Sequence, residues 1–159
     1  MKIIVFSDTH NLTSAAEDII KRNLSADLFV FLGDGENDLN SVKTQYYDKS
    51  FVAVSGNCDY YSRLPEVGEF SAMGKKIVFT HGHRYNVRYS LDALYYLAKE
   101  RKADIMLFGH THTRYHQIYE NIHFVNPGSA AIPRDSDPPS YALLSINDED
   151  ISIKHIDLI

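Results

Sequence analysis

Five apolar segments of this chain each end in a side chain that can bind a metal ion. The segments and the residues that follow them are IIVFS with Asp8 and His10, LFVFLG with Asp34, FVAVSG with Asn57, KKIVFT with His81, and DIMLFG with His110 and His112. Imidazole, carboxylate and amide ligands together suit Mn, Fe, Ni or Zn better than Mg or Ca. Seven ligands exceed what one tetrahedral zinc ion needs, so two ions that share a carboxylate would accommodate the set.

The spacing of these residues suggests how they group. In an extended chain residues i and i+2 face the same side, so Asp8 with His10, and His110 with His112, could each bind one metal as a pair. Glycine precedes three of the seven residues, and the backbone can therefore turn sharply at the site. These three are Asp34, Asn57 and His110.

The elements that must position these residues follow a βαβαβ pattern in the first third of the chain. Short, continuous, β-branched runs predict buried parallel strands, and stretches with helical spacing separate them. Right-handed crossovers turn this pattern into a parallel sheet whose carboxyl ends share one edge, where sites form. The predicted strands are Lys2–Ser7, Asp27–Leu32 and Phe51–Ser55, and the predicted helices are Thr13–Asn23, with Thr13 or Ser14 as N-cap, and Glu36–Tyr47.

The remainder of the chain predicts more strands and one clear helix. Two sheets packed face to face, with helices outside, would use all of these elements. A Pro-rich loop, NPGSAAIPRDSDPP, lies within the C-terminal antiparallel meander. The predicted elements are a hairpin of Glu66–Ala72 and Lys75–Thr80, a helix over Ser90–Arg101, a strand over Asp104–Phe108, and a meander of Arg114–Tyr119, Ile122–Val125, Tyr141–Ile146 and Ile151–Ile156.

Composition limits the class of protein. A chain of 159 residues, 44% of them apolar, predicts one domain over residues 1–159 with a full core. A net charge of −5 lacks the basic footprint of a nucleic-acid binder. One cysteine cannot form an internal disulfide, which favours the cytoplasm. The first apolar run is too short for a signal peptide, and no stretch approaches a membrane span, so no membrane partner is expected.

The order of the motifs resembles that of the calcineurin-like metallophosphoesterase family. The family pattern is D-x-H, G-D, G-N-H-D/E, H and G-H-x-H, and all of its blocks occur in order between residues 8 and 112. The short chain, the block Gly56–Asp59 (GNCD) and the later Asn126–Ser129 (NPGS) are similar to the small bacterial and archaeal phosphodiesterase branch, to which the eukaryotic retromer subunit is related. The resemblance implies an α/β fold, a four-layer α-β-β-α sandwich of two mixed sheets.

The resemblance also implies a mechanism and a ligand set. Two divalent metals, with manganese preferred and nickel, iron or zinc as alternatives, would activate a water that hydrolyses a small-molecule phosphate ester, preferably a diester. Asp34 would bridge the metals, Asn57 would bind one of them, and Asp59 would orient a neighbouring ligand; these three are the predicted catalytic residues. One metal would be bound by Asp8, His10, Asp34 and His112, and the other by Asp34, Asn57, His81 and His110.

Cys58 departs from the family pattern. Larger family members have histidine at this position, which is thought to donate a proton to the leaving group. A thiol with a reference pKa of about 8.5 is a poorer acid near neutrality. Three roles are therefore open for Cys58: a small filler, which we favour, a thiolate ligand drawn to a metal, or a thiol acid.

Other functions and residues also stay open. One alternative is a non-catalytic protein-binding scaffold of the same fold, as the retromer subunit is. Another is a single-metal sensor or store. A homo-oligomer is also possible. His83 is open as a support for a ligand, a substrate contact or neither, and His116, His123 and His155 are expected to be surface or hydrogen-bonded histidines. Candidate phosphate contacts, chosen by charge and loop position alone, are Arg63, Arg84, Arg88 and Arg134.

Overall fold

The computed structural model describes all residues from 1 to 159, which form ten strands and three helices. A short 3-10 turn, His83–Tyr85, follows the fifth strand. The elements are β1 (Lys2–Phe6), α1 (Thr13–Arg22), β2 (Leu28–Phe31), α2 (Glu36–Gln45), β3 (Phe51–Ala53), β4 (Val67–Ala72), β5 (Lys75–Thr80), α3 (Asp92–Arg101), β6 (Ile105–Leu107), β7 (Arg114–Tyr119), β8 (Ile122–Pro127), β9 (Ser140–Ile146) and β10 (Ile151–Asp157).

The strands form two mixed sheets of five strands each. Sheet 1 has the order β10-β9-β1-β2-β3, and its β1, β2 and β3 are parallel. Sheet 2 has the order β4-β5-β6-β8-β7, and its β5, β6 and β8 are parallel. The helical crossovers between β1, β2 and β3 are those that the βαβαβ pattern predicts.

Successive side chains along each strand point to opposite faces of the sheet, one toward the other sheet and one toward the helices. On β1, Ile3 and Val5 face the other sheet and pack in a cluster with Phe79 and Leu107 of sheet 2. The alternate residues of β1 pack against α1 and α2 on the outer face. On sheet 2, α3 covers the outer face in the same way. The layers therefore run α-β-β-α, and the predicted sandwich is confirmed.

Three predictions of local structure are wrong. The four C-terminal strands do not form one meander, because β7 and β8 belong to sheet 2 whereas β9 and β10 belong to sheet 1. Strand β3 is only half-buried, since it is an edge strand. Helix α1 has no side-chain cap, because it begins at Thr13 and its N-cap position falls on Leu12, which has no acceptor; the Thr13 hydroxyl donates to Asp38 Oδ1, at 2.7 Å.

The Pro-rich loop explains the first of these differences. Residues between Pro127 and Ser140 carry the chain from the end of β8 to β9, which pairs antiparallel with β1. Local hydrophobic alternation predicts a strand but does not choose its partner. No helix in the chain combines the length and the apolar character that crossing a membrane requires.

Candidate metal centre

The carboxyl ends of five strands meet at one edge of the sandwich. Three of these strands, β1, β2 and β3, belong to sheet 1, and β5 and β6 belong to sheet 2. Each is followed by one or more of the seven ligand-type side chains named above. The loops after the strands bring these side chains into contact across the two sheets, and six of them fall into two clusters of three.

The first cluster consists of Asp8, His10 and His112, whose ligand atoms all lie within 4.8 Å of one another. His112 Nε2 is 3.2 Å from Asp8 Oδ1 and 3.1 Å from His10 Nε2. His10 Nε2 is 3.8 Å from the same Asp8 oxygen. Asp8 is fully buried, and His112 is nearly so.

The second cluster consists of Asp34, His81 and His110. His81 Nε2 lies 3.4 Å from Asp34 Oδ2 and 3.1 Å from the amide oxygen of Asn57. The imidazole rings of His81 and His110 are 5.1 Å apart between centroids. Asn57 therefore joins this cluster through its oxygen, the atom that can bind a cation.

Asp34 lies between the two clusters. Its Oδ2 atom is 3.4 Å from His81 Nε2 and 3.8 Å from His10 Nε2. Its other oxygen accepts the backbone N–H of Cys58 at 2.7 Å. One carboxylate oxygen is thus held by the protein, and the other faces both clusters.

Hydrogen bonds at the far side of two rings fix which nitrogen faces the site. His81 Nδ1 donates to Leu32 O and His112 Nδ1 donates to Ile132 O, each at 2.7 Å. In the neutral ring Nε2 then carries a lone pair, and in both residues that lone pair faces carboxylate oxygens. Asp8 Oδ1 is buried and has no hydrogen-bond donor. Lone pairs and carboxylates that face one another are stabilised by a positive charge between them, and the mixed nitrogen and oxygen donors of both clusters fit a divalent metal.

The charges of the clusters shift three pKa values. Burial would raise the pKa of Asp34, but the hydrogen bond and charge of His81 and the N–H of Cys58 outweigh it and lower that pKa strongly. Burial would lower the pKa of His81, but Asp34 and Asp8 outweigh it and raise that pKa. Burial, with the charges of His81 and Arg88, lowers the pKa of His110 to about 4.

The backbone around the ligands is turned rather than extended. Asp8, His10, Asp34, His110 and His112 all have positive φ angles, between 44° and 66°. This conformation is uncommon for residues other than glycine and concentrates at functional sites. The predicted pairing of residues i and i+2 is therefore wrong for the second pair, because His110 and His112 point into different clusters.

The glycines at the site provide room as well as turns. A Cβ atom on Gly56 would lie 2.1 Å from Asp34 Oδ1, and one on Gly109 would lie 2.3 Å from the Ser7 hydroxyl oxygen. Neither glycine has a positive φ angle. These two positions therefore need glycine because any side chain would collide with Asp34 or Ser7. Their backbone conformation would allow other residues.

Asp59 contacts backbone only. Its Oδ2 accepts the N–H groups of Asp34 and Gly56, both at 2.8 Å, and its Oδ1 accepts those of Gly35 and Glu36, both at 2.9 Å. All four donors lie in the segments that carry Asp34 and Asn57. Asp59 is therefore a positioning residue, and its carboxylate does not face either cluster.

Two serines support Asp8, and sequence reasoning missed both. Ser7 Oγ donates to Asp8 Oδ2 at 2.6 Å, and Ser129 Oγ donates to the Asp8 carbonyl oxygen at 2.8 Å. Ser129 Oγ also accepts the N–H of Ile132, the residue whose carbonyl holds His112. Ser129 lies in the NPGS block, and this block was the feature of the sequence that could have pointed to it.

Cys58 and His83 lie beside the clusters. The Cys58 thiol is exposed, forms a third possible group of ligands with His10 and Asp34, and accepts a hydrogen bond from Asn57 at 3.4 Å. Burial and the charge of Asp34 raise its pKa to about 11. The ring of His83 is 5.4 Å from that of His81, and its Nδ1 is buried without a partner.

The remaining histidines make hydrogen bonds outside the clusters. His116 and His123 hydrogen-bond to each other at 3.1 Å, and His155 bonds to the carbonyl of Asn126 at 2.7 Å. These contacts agree with the prediction for the three histidines.

Two of the candidate arginines lie near cluster residues. The Arg134 N–H donates to the carbonyl oxygen of His112 at 3.0 Å, and the charge of Arg88 reaches His110. Arg84 is paired with Glu66 at 2.8 Å, which leaves it less available as a phosphate contact.

Comparison with known sequences identifies relatives over nearly the whole chain. Residues 1–149 match the model of the calcineurin-like phosphoesterase superfamily domain. The probable metallophosphoesterase YsnB of Bacillus subtilis is 30% identical over 158 residues, which cover 99% of this chain and 91% of YsnB. The phosphodiesterase YfcE of Escherichia coli is 27% identical over 167 residues, which cover 91% of this chain and 87% of YfcE.

Solved structures share the fold. A predicted phosphoesterase from Streptococcus pneumoniae superimposes with a TM-score of 0.88 at 30% identity, over 99% of this chain and 89% of that one. A zinc complex of Vps29 from Entamoeba histolytica superimposes with a TM-score of 0.76 at 22% identity over all of both chains, a likeness of fold alone. With the family model matched over residues 1–149 and a candidate site of histidines and carboxylates, this chain belongs to the calcineurin-like phosphoesterase superfamily of metal-dependent hydrolases.

Proposed function

We propose that this protein is a phosphodiesterase that binds two divalent metal ions. Asp8, His10 and His112 would hold one ion, His81, His110 and Asn57 would hold the other, and Asp34 would bind both. The position of Asp34 carries the proposal, because one of its oxygens faces His10 in the first cluster and His81 in the second, at 3.8 and 3.4 Å. A carboxylate between two groups of imidazoles is the arrangement that a pair of cations requires.

The residues of the chain have distinct parts in this proposal. Two bound cations supply Lewis acidity, which makes a nucleophile available at neutral pH and offsets charge on the phosphoryl oxygens. Asp8 and Asp34 provide the negative charge that attracts them, and Ser7 and Asp59 hold these carboxylates or their backbone in position. His81 and His112, fixed through Nδ1, present Nε2 to the site without a search among rotamers.

A diester substrate is supported by one observation: the relative YfcE is a phosphodiesterase. Cys58 stands where larger family members have histidine, so a proton donor for poor leaving groups is weaker here, whichever ester is the substrate. Manganese is the metal that we propose first, because the ligands mix imidazole with carboxylate and amide oxygen; nickel, iron and zinc suit the same donors. Residues 1–159 act as one domain and work in the cytoplasm in this proposal.

A protein-binding scaffold is the second candidate, since the fold is also that of Vps29. The presence of all seven ligand-type side chains at one edge of the sandwich favours catalysis over this alternative. A single-metal sensor is the third candidate. It would leave one of the two clusters of imidazole and carboxylate without a cation.

One experiment separates the three candidates. Metal content per chain is measured after loading with Mn²⁺, Ni²⁺, Zn²⁺ or Mg²⁺, and hydrolysis of bis(p-nitrophenyl) phosphate and p-nitrophenyl phosphate is followed for each. We expect two equivalents of metal and faster hydrolysis of the diester. One equivalent without hydrolysis would favour the sensor. Protein without hydrolysis that is metal-free or holds two equivalents would favour the scaffold, since Vps29 also forms a zinc complex.

A further inference from the structure

A cavity of about 290 Å³ opens beside the metal centre. Three of its lining residues, His10, Asp34 and Cys58, also belong to the candidate site, so the cavity is continuous with the place where a phosphate would be held. Its volume lies at the lower limit for small-molecule sites. A group attached to the phosphate would therefore enter this cavity, and it would be small.

Three side-chain amides line the cavity. Asn11 comes directly after His10 in the sequence, and Asn37 and Asn40 belong to the first turns of α2. The hydrogen bonds that Ser41 and Thr44 make to these two asparagines use the backbone carbonyl oxygens, so the amide groups stay available to a ligand. An amide offers both a donor and an acceptor, which matches the hydroxyl group, itself a donor and an acceptor.

The charge of the cavity excludes a second anion. Neither lysine nor arginine lines it, whereas Asp34, Glu36 and Asp59 do. Asp59 is fully occupied by four N–H groups and Asp34 faces the metal centre, so Glu36 is the one carboxylate left free toward a ligand. An anionic group in the cavity would lie close to Glu36, and the only cations near it would be the metal ions that already hold the phosphate.

The two tyrosines at the mouth do not form a cage for a cation. Tyr60 and Tyr61 are 81% and 102% exposed, so their rings extend into solvent and do not face each other across the cavity. Recognition of a quaternary ammonium group needs aromatic faces that enclose it. The amides are therefore the better guide to the ligand.

We propose that this cavity binds the alcohol portion of the substrate and that this portion is a small, uncharged, polyhydroxylated group, such as glycerol or a single sugar. The proposal rests on the proposed function, because the phosphate at the metal centre anchors the ligand. Asn11, Asn37 and Asn40 bind the hydroxyl groups, and Glu36 rejects anions.

Calorimetric titration of the manganese-loaded protein tests this proposal with four probes. These are inorganic phosphate, glycerol 3-phosphate, 3-phosphoglycerate and phosphocholine. Glycerol 3-phosphate and 3-phosphoglycerate match in size and differ mainly by one carboxylate. We expect glycerol 3-phosphate to bind about thirtyfold tighter than inorganic phosphate, since two ordinary net hydrogen bonds are worth about that factor. We expect 3-phosphoglycerate to bind no tighter than inorganic phosphate.

Three variants assign the effect to the cavity. Asn40→Ala should remove most of the advantage of glycerol 3-phosphate and leave the affinity for inorganic phosphate within twofold. Gln45→Ala is the matched control, because it truncates an exposed amide at the other end of the same helix, outside the cavity. Glu36→Gln should increase the affinity for 3-phosphoglycerate severalfold and leave that for glycerol 3-phosphate within threefold.

Two kinds of failure are distinguishable. If inorganic phosphate binds and bis(p-nitrophenyl) phosphate is hydrolysed, but glycerol 3-phosphate has no advantage or phosphocholine binds tightest, the proposed function stands and this assignment is overturned. If inorganic phosphate does not bind and the diester is not hydrolysed, the proposed function is overturned and the assignment with it.

Discussion

Asp59 holds the backbone of Asp34 in place: its Oδ2 accepts the Asp34 N–H at 2.8 Å, and its two oxygens together accept four N–H groups. Each of those oxygens faces two donors. A single amide group in place of the carboxylate would direct an NH₂ group at two N–H groups, which repel it.

We therefore predict that Asp59→Asn weakens metal binding by about 10–100-fold, the usual effect of removing a group that orients a ligand. Competition with a fluorescent chelator measures this affinity. Asp18→Asn, on the exposed face of α1, is the control and should bind metal like the parent protein. An unchanged affinity in Asp59→Asn would show that the four hydrogen bonds do not position Asp34.

Asp34→Asn tests the bridge itself. The amide oxygen can still accept the Cys58 N–H, so the loop should stay in place. The NH₂ group would then face His10 and His81, where it cannot bind cations. We expect hydrolysis of an activated diester to be nearly abolished and metal content to fall, as measured by elemental analysis and initial rates. Two bound metals with normal turnover would contradict the assignment of Asp34.

Chelation should destabilise the protein without unfolding it. Three apolar clusters, of 15, 12 and 10 buried residues, support the sandwich without any metal. Metal at about 100 times its Kd should stabilise the folded state by about 2.7 kcal/mol, which corresponds to a rise in Tm of about 5–10 °C for a chain of this size. Differential scanning calorimetry with and without EDTA measures the shift, and Asp34→Asn should show less of it. A chelated protein that is unfolded at 25 °C would disprove the prediction.

Cys58→Ala separates the three roles of the thiol. If Cys58 is a filler, metal content and the rate with an activated diester should stay within a few-fold of the parent. Loss of metal would indicate a thiolate ligand, and a loss confined to poor leaving groups would indicate a thiol acid. Cys58→His should act selectively, since a positioned general acid contributes about 10²–10⁴-fold where it fits, and only poor leaving groups need the proton.

The pair His116 and His123 predicts a pH dependence of stability. Burial lowers both pKa values; the charge of His155 lowers that of His116 further, and the charge of His116 does the same for His123. The unfolded chain therefore binds more protons than the folded protein. The free energy of unfolding falls as the pH drops through the pKa of histidine in the unfolded chain, about 6.5.

In the chelated protein, His123→Gln should lose less stability between pH 7.5 and 5.5 than the parent, as urea unfolding measures. Gln117→Ala, on the neighbouring strand, should keep the parent slope. Equal slopes in His123→Gln and the parent would disprove the effect.

Much of the fold was predictable because its signals are local. Runs such as IIVF and LFVF predict buried strands, and their alternate residues pack on opposite sides of sheet 1. The pairing of β1 with β9 was not predictable, since Lys2 and Ser145 are partners across almost the whole chain and no local pattern selects a distant strand.

The gathering of the candidate site was predictable for a different reason. Within each sheet, parallel strands bring their carboxyl ends to one edge, so β1, β2 and β3 gather one group of residues and β5 and β6 gather another. The face-to-face packing of the two sheets then brings the two groups together. The family resemblance assigned His110 and His112 to different metals, but the turned backbone that divides them could not be predicted from the spacing, because positive φ angles in residues other than glycine leave no mark on the sequence. Ser7 and Ser129 were missed because serine is common in turns.

The pairing of β1 with β9 also determines the order of assembly during synthesis. β1, β2 and β3 leave the ribosome first, but the edge of β1 stays open until residues 140–146 emerge. Ser129, which supports Asp8, and His110 and His112, which complete the clusters, are likewise made late. A nascent chain therefore carries an unpaired β edge until residues 140–146 have emerged, a state prone to aggregation. It also cannot assemble either cluster of the candidate metal centre before His110 and His112 have been made.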